Sequence, residues 1–313
     1  MRVKKRIRIA LLSGGWSAER EVSLKSGEAV YRALDRERYE VSTYDPRDDL
    51  EGLIRDRDRI DLALILLHGR LGEDGRIQGM LDILQIPFVG SGVLASAMAM
   101  NKRIAKAAFR GAGLPVAEDL VLREGEEFSV EGLINTLGPS IVIKPVSEGS
   151  SIGITLARGR EEIVKGLKTA FRYDGEVMAE KYIKGREITC CVLGNRILET
   201  LPPIEIIPDP AHPFFDYQAK YQPGVTKEIC PAALDSGLAR EISSCAKKAH
   251  RALNCRVWSR SDMIVGDDGD IYLLETNTIP GMTETSLFPL AARAAGMTLS
   301  RLLDKMITLS LEP

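Results

Sequence analysis

The chain has 313 residues, more than one typical domain, and we expect two or three structural units around a shared cleft. Its 44% hydrophobic and 27% charged residues are ordinary for a soluble globular protein, and a net charge of -2 argues against a nucleic-acid partner. No apolar run approaches the ~20 residues of a membrane helix, so we expect no membrane partner. Five cysteines without C-x-x-C spacing and three scattered histidines argue against disulfides and zinc, which favours a cytoplasmic protein with reduced thiols.

The first third of the chain alternates β-like and helical stretches. Strands are predicted at 7–12, 39–45 and 62–67, and helices at 22–34 and 78–84. This alternation indicates a parallel sheet with helices on its faces. Such a sheet binds ligands at the carboxyl ends of its strands, where Gly14-Gly15 and His68-Gly69 lie.

The remaining two thirds begin with a long helical pattern from 93 to 113, which carries Lys102. Strands are then predicted at 141–144, 177–183 and 188–193, with a helix at 161–171. A proline-rich stretch with many aromatic residues, 208–224, is predicted to be a functional loop that acts as a lid. The last third is predicted to hold a helix at 236–253, a hairpin, and a closing helix after Thr298.

The predicted hairpin lies between 256 and 277. Asp268-Gly269 is a strong signal for a two-residue type I′ turn. A turn at these two residues places Asp262 opposite Glu275, and Arg260 opposite Asn277. Strand alternation then puts all four side chains on one face of the hairpin.

This face predicts a metal site, because two directly opposed carboxylates lie about 4.5–5.5 Å apart at Cβ and repel each other. A bridging cation relieves that repulsion, and two carboxylates with an amide oxygen suit Mg²⁺. The alternative is a solvated charged face on which Arg260 neutralises its neighbours. Ile264 and Leu273, expected on the same face, favour partial burial instead.

The segment 144–153, KPVSEGSSIG, is predicted to bind phosphate. Its small residues let backbone N–H groups turn inward around an anion, and Lys144 supplies a positive charge. The pattern is neither G-x-x-x-x-G-K-[ST] nor G-x-G-x-x-G, so P-loop and Rossmann proteins lose support. A plain Gly/Ser-rich hairpin turn is the alternative, and the carboxylate hairpin further along the chain argues against it.

Six segments in order give the chain a family resemblance. They are 14–23 (GGWSAEREVS), 68–75 (HGRLGEDG), 90–92 (GSG), 148–151 (EGSS), 219–221 (AKY) and 277–283 (NTIPGMT). With Lys144, the segment 180–183, Glu187 and the hairpin residues, they resemble the D-alanine–D-alanine ligase family of the ATP-grasp superfamily, nearly from end to end. The resemblance implies an α/β fold, α+β in the central part, with ATP held between the central and C-terminal domains. We expect an N-terminal parallel-sheet domain at 1–91, a central ATP-grasp subdomain at 92–186 and a C-terminal ATP-grasp domain at 187–313.

The resemblance also implies binding residues for ATP and metal. ATP phosphates, adenine or ribose would contact Lys102, Lys144, Ser151, Glu180, Lys181, Ile183, Glu187 and Lys220. Glu187 would lie at the ribose, and Lys220 would reach in from the lid. Two Mg²⁺ ions, with Mn²⁺ as a substitute, would be held by Asp262, Glu275 and Asn277.

For the substrates, the resemblance implies two D-alanine sites. Glu19 would bind the ammonium group of the first D-alanine and form a hydrogen-bonded triad with Ser150 and Tyr221. Arg260 and the backbone N–H of Gly281 would stabilise the oxyanion. The carboxylate of the second D-alanine would lie close to three further residues, namely His68, Ser286 and Leu287. The resemblance further implies a homodimer and a role in peptidoglycan synthesis, hence in cell-wall formation and cell shape.

Several of these residues also have a structural explanation. Glu19 suits the first turn of a helix, and Ser150 suits a turn. Tyr221 could pack within the lid, His68 could be a loop histidine, and Lys102 could solvate a helix. Ser286 taken alone favours a structural role. The ordered set of motifs, rather than the chemistry of any one residue, favours function.

Two positions depart from the family pattern. Asn101 precedes Lys102 where an aspartate is usual, and Ser259 precedes Arg260 where a glycine or alanine is usual. Neither removes a metal ligand or the phosphate lysine, so we expect activity, with substrate affinity open to change.

Three other functions compete with this one. A ligase joining D-alanine to D-lactate or D-serine is the nearest, although Tyr221 favours an amine acceptor because lactate-using relatives typically carry phenylalanine there. A catalytically silent relative that binds nucleotide for regulation is a second. A nucleotide-binding oxidoreductase, suggested only by Gly14-Gly15 after a strand, fits worst.

Overall fold

The computed structural model describes residues 6–149, 152–208 and 226–312. The first sheet is parallel, with the strand order β2-β1-β3-β4, which confirms the prediction for the first third. Its strands are β1 (Ile7–Leu12), β2 (Tyr39–Tyr44), β3 (Leu62–Ile65) and β4 (Phe88–Val89). The helices of this region are α1 (Arg20–Ala33), α2 (Leu50–Arg55) and α3 (Arg76–Ile83), with a 3₁₀ turn at Arg57–Arg59. Glu19 lies at the start of α1 and His68 shortly after β3.

The predicted long helix at 93–113 is wrong, because the chain forms two helices there. They are α4 (Val93–Met100) and α5 (Lys102–Gly111). Asn101 separates them with an extended backbone, and its side-chain oxygen accepts a hydrogen bond from Ile104 N at 3.0 Å. Asparagine and aspartate are both good N-caps, so this departure from the family pattern preserves the start of α5 and the position of Lys102.

The second sheet is antiparallel, with the order β5-β8-β6-β7. Its strands are β5 (Asp119–Arg123), β6 (Ser140–Pro145), β7 (Thr155–Arg158) and β8 (Glu176–Lys181). Two helices, α6 (Val130–Leu137) and α7 (Gly159–Ala170), supply apolar side chains to the same core as its strands. Sequence periodicity predicted β6, β8 and α7 but not β5 or α6.

The third sheet is also antiparallel, with the order β12-β11-β9-β13-β14 and β10 paired to β9. Its strands are β9 (Gly185–Gly194), β10 (Leu198–Thr200), β11 (Ile204–Pro208), β12 (Thr226–Ile229), β13 (Val257–Gly266) and β14 (Ile271–Asn277). One face packs against the long helix α8 (Ser236–Ala252), whose apolar side chains share a core with this sheet.

The closing helices α9 (Leu287–Ala294) and α10 (Leu299–Ser310) return to the start of the chain. Phe288, Leu302 and Met306 belong to the same buried core as the first sheet, and the β13 residue Trp258 joins them. The N- and C-terminal regions of the chain are therefore held together by one apolar core. None of the helices within the described ranges is long and apolar enough to span a membrane.

The hairpin of β13 and β14 pairs Asp262 with Glu275 and Arg260 with Asn277, as predicted. The route to that register differs from the prediction. Gly266 N donates to Asp270 O at 2.8 Å, so the loop between these two paired residues contains three residues rather than two. The register then shifts between Asp262 and Met263, where β14 contributes one extra residue as a bulge. The bulge compensates for the longer turn, and the predicted pairs survive.

The bulge changes which leucine faces the site. Leu273 pairs with Met263 and is fully buried on the α8 side, so its predicted place beside Asp262 is wrong. Leu274 lies on the site side instead, together with Ile264. A single inserted residue exchanges the two faces of a strand, because strand side chains alternate with a period of two.

Candidate functional site

Two adjoining cavities carry the predicted site residues of the described part of the chain. The lysine-lined cavity, of about 380 Å³, lies between the second and third sheets. The acidic cavity, of about 470 Å³, lies beside the start of α1 and the end of β14 and contains several glutamates. Lys102 and Glu275 line both cavities. A ligand in one cavity and a ligand in the other would therefore meet at these two residues.

The lysine-lined cavity combines basic residues with apolar walls. The predicted ATP-binding and metal-binding residues that line it are Lys102, Lys144, Glu180, Lys181, Ile183, Glu187, Asp262 and Glu275. Its apolar walls come from Val142, Ile154, Ile183, Ile206 and Leu274. A cavity that combines apolar walls with cationic groups suits an aromatic base that carries a phosphate chain.

Glu180 is the best enclosed charged group of this cavity, with 3% of its surface exposed. One carboxylate oxygen accepts a hydrogen bond from Lys144, and the other accepts one from Lys106 on α5. Burial by itself would raise the pKa of Glu180, but the two lysines lower it below its ordinary value. Glu180 is therefore ionised at neutral pH and holds both ammonium groups.

The predicted phosphate loop connects β6 to β7 and is attached to the start of α5. Lys102 N donates to Val146 O at 2.9 Å, and Lys102 Nζ donates to the carbonyl oxygen of Glu148. Ser147 N donates to a carboxylate oxygen of Asp174 at 2.7 Å. These bonds bring Lys102 to the loop that begins at Lys144.

The opposed carboxylates Asp262 and Glu275 stand at the boundary between the cavities. Arg260 donates to both oxygens of Asp262, at 2.8 and 2.7 Å, and Thr189 Oγ1 donates to the same carboxylate at 2.5 Å. Burial alone would lower the pKa of Arg260, but Asp262 raises it above its ordinary value. Arg260 thus neutralises part of the negative charge of this face, as the alternative to a metal site expected.

The donor set at this boundary fits Mg²⁺ rather than a softer metal. Asp262 and Glu275 offer carboxylate oxygens and Asn277 an amide oxygen, which is the ligand chemistry that Mg²⁺ combines with substrate phosphates. Asn277 Oδ1 also accepts a hydrogen bond from Ile279 N at 2.8 Å, which fixes the orientation of its side chain. Within the described ranges, no group of three or more His, Cys, Asp or Glu side chains forms a separate metal cluster.

The acidic cavity contains the two predicted ligand-binding residues of the N-terminal region, Glu19 and His68, both buried. Gly69 lies against Glu19: its φ is +68°, and an added Cβ would stand 2.9 Å from Glu19 Oε2. Burial lowers the pKa of His68, so the imidazole is neutral. Its Nε2 atom is buried without a protein hydrogen-bond partner among the described residues.

Glu73 also lines the acidic cavity, although the sequence analysis gave it no role. Burial, followed by the nearby charge of Glu19, raises the pKa of Glu73 to about 8. Its carboxyl group accepts a hydrogen bond from Gly69 N at 2.6 Å. Its position within the 68–75 motif could have identified Glu73 as a site residue from the sequence.

Three predicted residues meet at the start of α9, a helix that sequence periodicity did not reveal. Ser286 is the N-cap residue, Leu287 is the first helical residue, and both line the acidic cavity with Gly281. A helix N-terminus presents unpaired N–H groups and a partial positive charge, which suits a substrate carboxylate. Ser286 Oγ also accepts from Thr283 N at 3.0 Å, so the structural role that its sequence suggested is present as well.

Ser259 lies away from the site. Its side chain points from β13 to α8, where Oγ and His250 Nδ1 are 2.7 Å apart. This departure from the family pattern therefore contacts the core and not the cavities.

Four predicted residues, Ser150, Ser151, Lys220 and Tyr221, and the lid at 208–224 apart from Pro208 lie outside the described residues. Two further residues within the described part were not predicted from the sequence. Lys106 lies one helical turn after Lys102, and this spacing could have identified it. Glu228 lines the acidic cavity but follows the lid in the sequence without a distinguishing pattern.

Comparisons with known proteins agree along the whole chain. The family models described as the C-terminus and N-terminus of D-ala D-ala ligase match residues 108–308 and 46–91. D-alanine–D-alanine ligases of Syntrophobacter fumaroxidans and Desulfotalea psychrophila are 54% and 53% identical over 98% of this chain, and 98% and 96% of their own lengths are covered. A Bacillus anthracis D-alanine–D-alanine ligase structure complexed with ATP superposes with a TM-score of 0.86 at 36% identity, covering 97% of each chain. A D-Ala:D-Ser ligase structure from Enterococcus faecalis gives 0.86 at 31%, covering 98% of this chain and all of the other.

The fold and the paired cavities define an ATP-dependent ligase of the ATP-grasp type. The similarity extends over nearly the full length of the relatives and includes both family models. The chain belongs to the D-alanine–D-alanine ligase family.

Proposed function

We propose that this enzyme joins two molecules of D-alanine through a D-alanyl phosphate, with conversion of ATP to ADP and phosphate. The dipeptide then supplies peptidoglycan synthesis. The observation that carries the proposal is the contact between two cavities at Lys102 and Glu275. A ligase of this kind must bring the terminal phosphate of ATP to a carboxylate held separately, and the two cavities provide those places.

In the first step, a carboxylate oxygen of D-alanine attacks the terminal phosphorus of ATP, and ADP leaves. This reaction depends on alignment and charge neutralisation far more than on covalent help from the protein. Lys144 and Lys102 supply positive charge from one side and Arg260 from the other. Two Mg²⁺ ions, or Mn²⁺ in their place, would be held by Asp262, Glu275 and Asn277 and would neutralise the phosphate oxygens.

In the second step, the amine of the second D-alanine attacks the acyl carbon, and phosphate leaves. The tetrahedral oxyanion would be stabilised by Arg260 and the Gly281 N–H, both of which line the acidic cavity. The carboxylate of the second D-alanine would bind at the N-terminus of α9, by Ser286 and Leu287, with the neutral His68 nearby. Glu19 would bind the ammonium group of the first D-alanine, with Ser150 and Tyr221 completing a triad.

Water must be excluded, because an acyl phosphate hydrolyses. The segment 208–224 is proposed as the lid, with Lys220 reaching the nucleotide and Ser151 in the phosphate loop. Support comes from its described ends: Pro208 lines the lysine-lined cavity and pairs with Thr226 across two antiparallel strands. We also propose that the enzyme is a cytoplasmic homodimer whose three domains comprise residues 1–91, 92–186 and 187–313.

Phosphate release with ATP, Mg²⁺ and D-alanine tests the function, with Glu275→Gln as the decisive variant. Loss of one carboxylate of the metal pair is expected to lower kcat/KM by at least about 10- to 100-fold, the range found when even outer partners of a metal site are removed. Glu241→Gln, an exposed change on α8, is the matched control and should retain full activity. Equal rates for Glu275→Gln and the unmodified enzyme would contradict the metal assignment.

The same assay separates the acceptor substrates. D-serine is the strongest competitor, because a structurally similar relative is a D-Ala:D-Ser ligase. We expect D-alanine to give the higher kcat/KM as acceptor. A higher value with D-serine or D-lactate would replace the proposed product. Tight binding of Mg-ATP without turnover on any D-amino acid would instead favour a regulatory nucleotide-binding protein.

A further inference from the structure

Lys106 is a fully buried lysine in α5, with 1% of its surface exposed. Its ammonium group contacts three acceptors: Ala117 O at 2.8 Å, a carboxylate oxygen of Asp119 at 2.8 Å, and Glu180. The contacts to Ala117 O and Glu180 are hydrogen bonds, and the contact to Asp119 is an ion pair. Lys106 lines neither cavity and cannot touch a ligand in them.

Each carboxylate that contacts Lys106 also contacts a second cation. Glu180 gives one oxygen to Lys106 and the other to Lys144. Asp119 is shared between Lys106 and Arg110, whose side chain is 47% exposed. The group thus holds three positive and two negative side chains. Without Lys106 the two carboxylates would balance the two remaining cations.

We propose that Lys106 is a positioning residue for ATP. It neutralises Glu180 at the carboxylate oxygen that does not contact Lys144, and the charge of Lys144 then remains available to the phosphates. The inference rests on the proposed function, in which Lys144 contacts ATP in the lysine-lined cavity. Without Lys106, Glu180 would pair with Lys144 alone and cancel the charge of Lys144. Both side chains are buried, where opposite charges interact strongly.

The proposal concerns charge and therefore predicts an effect that depends on the phosphates of the ligand. Lys106→Met removes the charge and keeps a side chain of similar length. We expect the Kd for Mg-ATP to rise by about 10- to 100-fold, as when a charge-assisted contact is lost. The Kd for adenosine should change by no more than about twofold. A merely structural role would weaken the binding of both ligands.

Two further variants test the pathway through Glu180. Arg110→Met removes one positive charge from the same group without touching Glu180, and it should leave the ratio of the ATP and adenosine Kd values unchanged. In an enzyme that already carries Glu180→Gln, adding Lys106→Met should also leave this ratio unchanged, because the carboxylate that pairs with Lys144 is already gone. This comparison still tests the proposal if Lys106→Met alone fails to fold.

Calorimetric titration with Mg-ATP and with adenosine provides the measurement. An unchanged ratio in folded Lys106→Met, an equal loss in Arg110→Met, or a further loss on adding Lys106→Met to Glu180→Gln would each overturn the proposal. Binding of Mg-ATP by the unmodified enzyme, with phosphate release on D-alanine, separately tests the proposed function. Absence of that binding would overturn both.

Discussion

Arg260 contacts both a proposed metal ligand, Asp262, and the acidic cavity. Its guanidinium group forms two parallel hydrogen bonds with Asp262, at 2.8 and 2.7 Å, and its side chain borders the acidic cavity. Asp262 itself lines the lysine-lined cavity. Arg260 can therefore act on the oxyanion directly, or on ATP indirectly by orienting Asp262. A planar fork performs both tasks, whereas an ammonium group cannot make the paired contact.

Arg260→Lys is expected to separate these two effects. If the main role is at the oxyanion, kcat should fall by roughly 10²–10³-fold, the cost of losing one oxyanion donor. The Kd for Mg-ATP should change by only about threefold or less. Steady-state phosphate release gives kcat, and calorimetry gives the Kd. An ATP affinity that falls as far as kcat would show that Arg260 works chiefly through Asp262.

At the scale of elements, the contact between α8 and β13 contains a buried polar pair. His250 is 1% exposed and its Nδ1 lies 2.7 Å from Ser259 Oγ. Burial lowers the pKa of His250 to about 4 from its ordinary 6.5. Below pH 6.5, His250 therefore binds a proton readily in the unfolded chain but not in the folded protein.

This shift predicts a pH dependence of stability. The stabilisation associated with neutral His250 is present above pH 6.5 and is lost as the pH falls towards 4. Between pH 7 and pH 5 the unmodified protein should lose about 2 kcal/mol more of its free energy of unfolding than His250→Gln does. Urea unfolding at the two pH values measures this difference, and a pH-independent gap between the proteins would contradict it. Ser259→Ala should retain the pH dependence, because it leaves the histidine in place.

The secondary structure shows where sequence patterns suffice. Periodicity and turn residues predicted three of the four strands of the first sheet, all but β4, and helices α1, α7 and α8 to within a few residues. The hairpin register at Asp262 and Glu275 was also correct, although a three-residue turn and a bulge replaced the predicted two-residue turn. Asn101 interrupts an otherwise continuous helical pattern. A single N-cap residue hardly changes the hydrophobic periodicity, so the pattern predicted one helix where the structure has two.

At the scale of the whole molecule, the two cavities meet at Lys102 and Glu275. Lys181 lines only the lysine-lined cavity. Under the proposed function, a residue at the junction would contact the group being transferred, and a residue that lines one cavity would contact only one substrate. Removing the two lysines should therefore affect different kinetic constants.

Lys102→Met is expected to lower kcat by about tenfold or more, because a positive charge is lost where the phosphoryl group passes. Lys181→Met should raise the KM for ATP and leave both kcat and the KM for D-alanine within about twofold. Initial rates over a grid of ATP and D-alanine concentrations give all three constants. If Lys102→Met changes only the KM for ATP, the junction at Lys102 plays no part in the transfer.

The sequence by itself determined the family, the parallel first sheet and the facing carboxylates of the hairpin, because each is encoded in short-range patterns of residue type. Only the tertiary structure decided which distant groups meet. Lys106 and Glu180 are 74 residues apart, and the core of the first sheet includes side chains of α9 and α10. Such contacts depend on how sheets and helices pack, and periodicity within one segment carries no information about the surface against which it will lie.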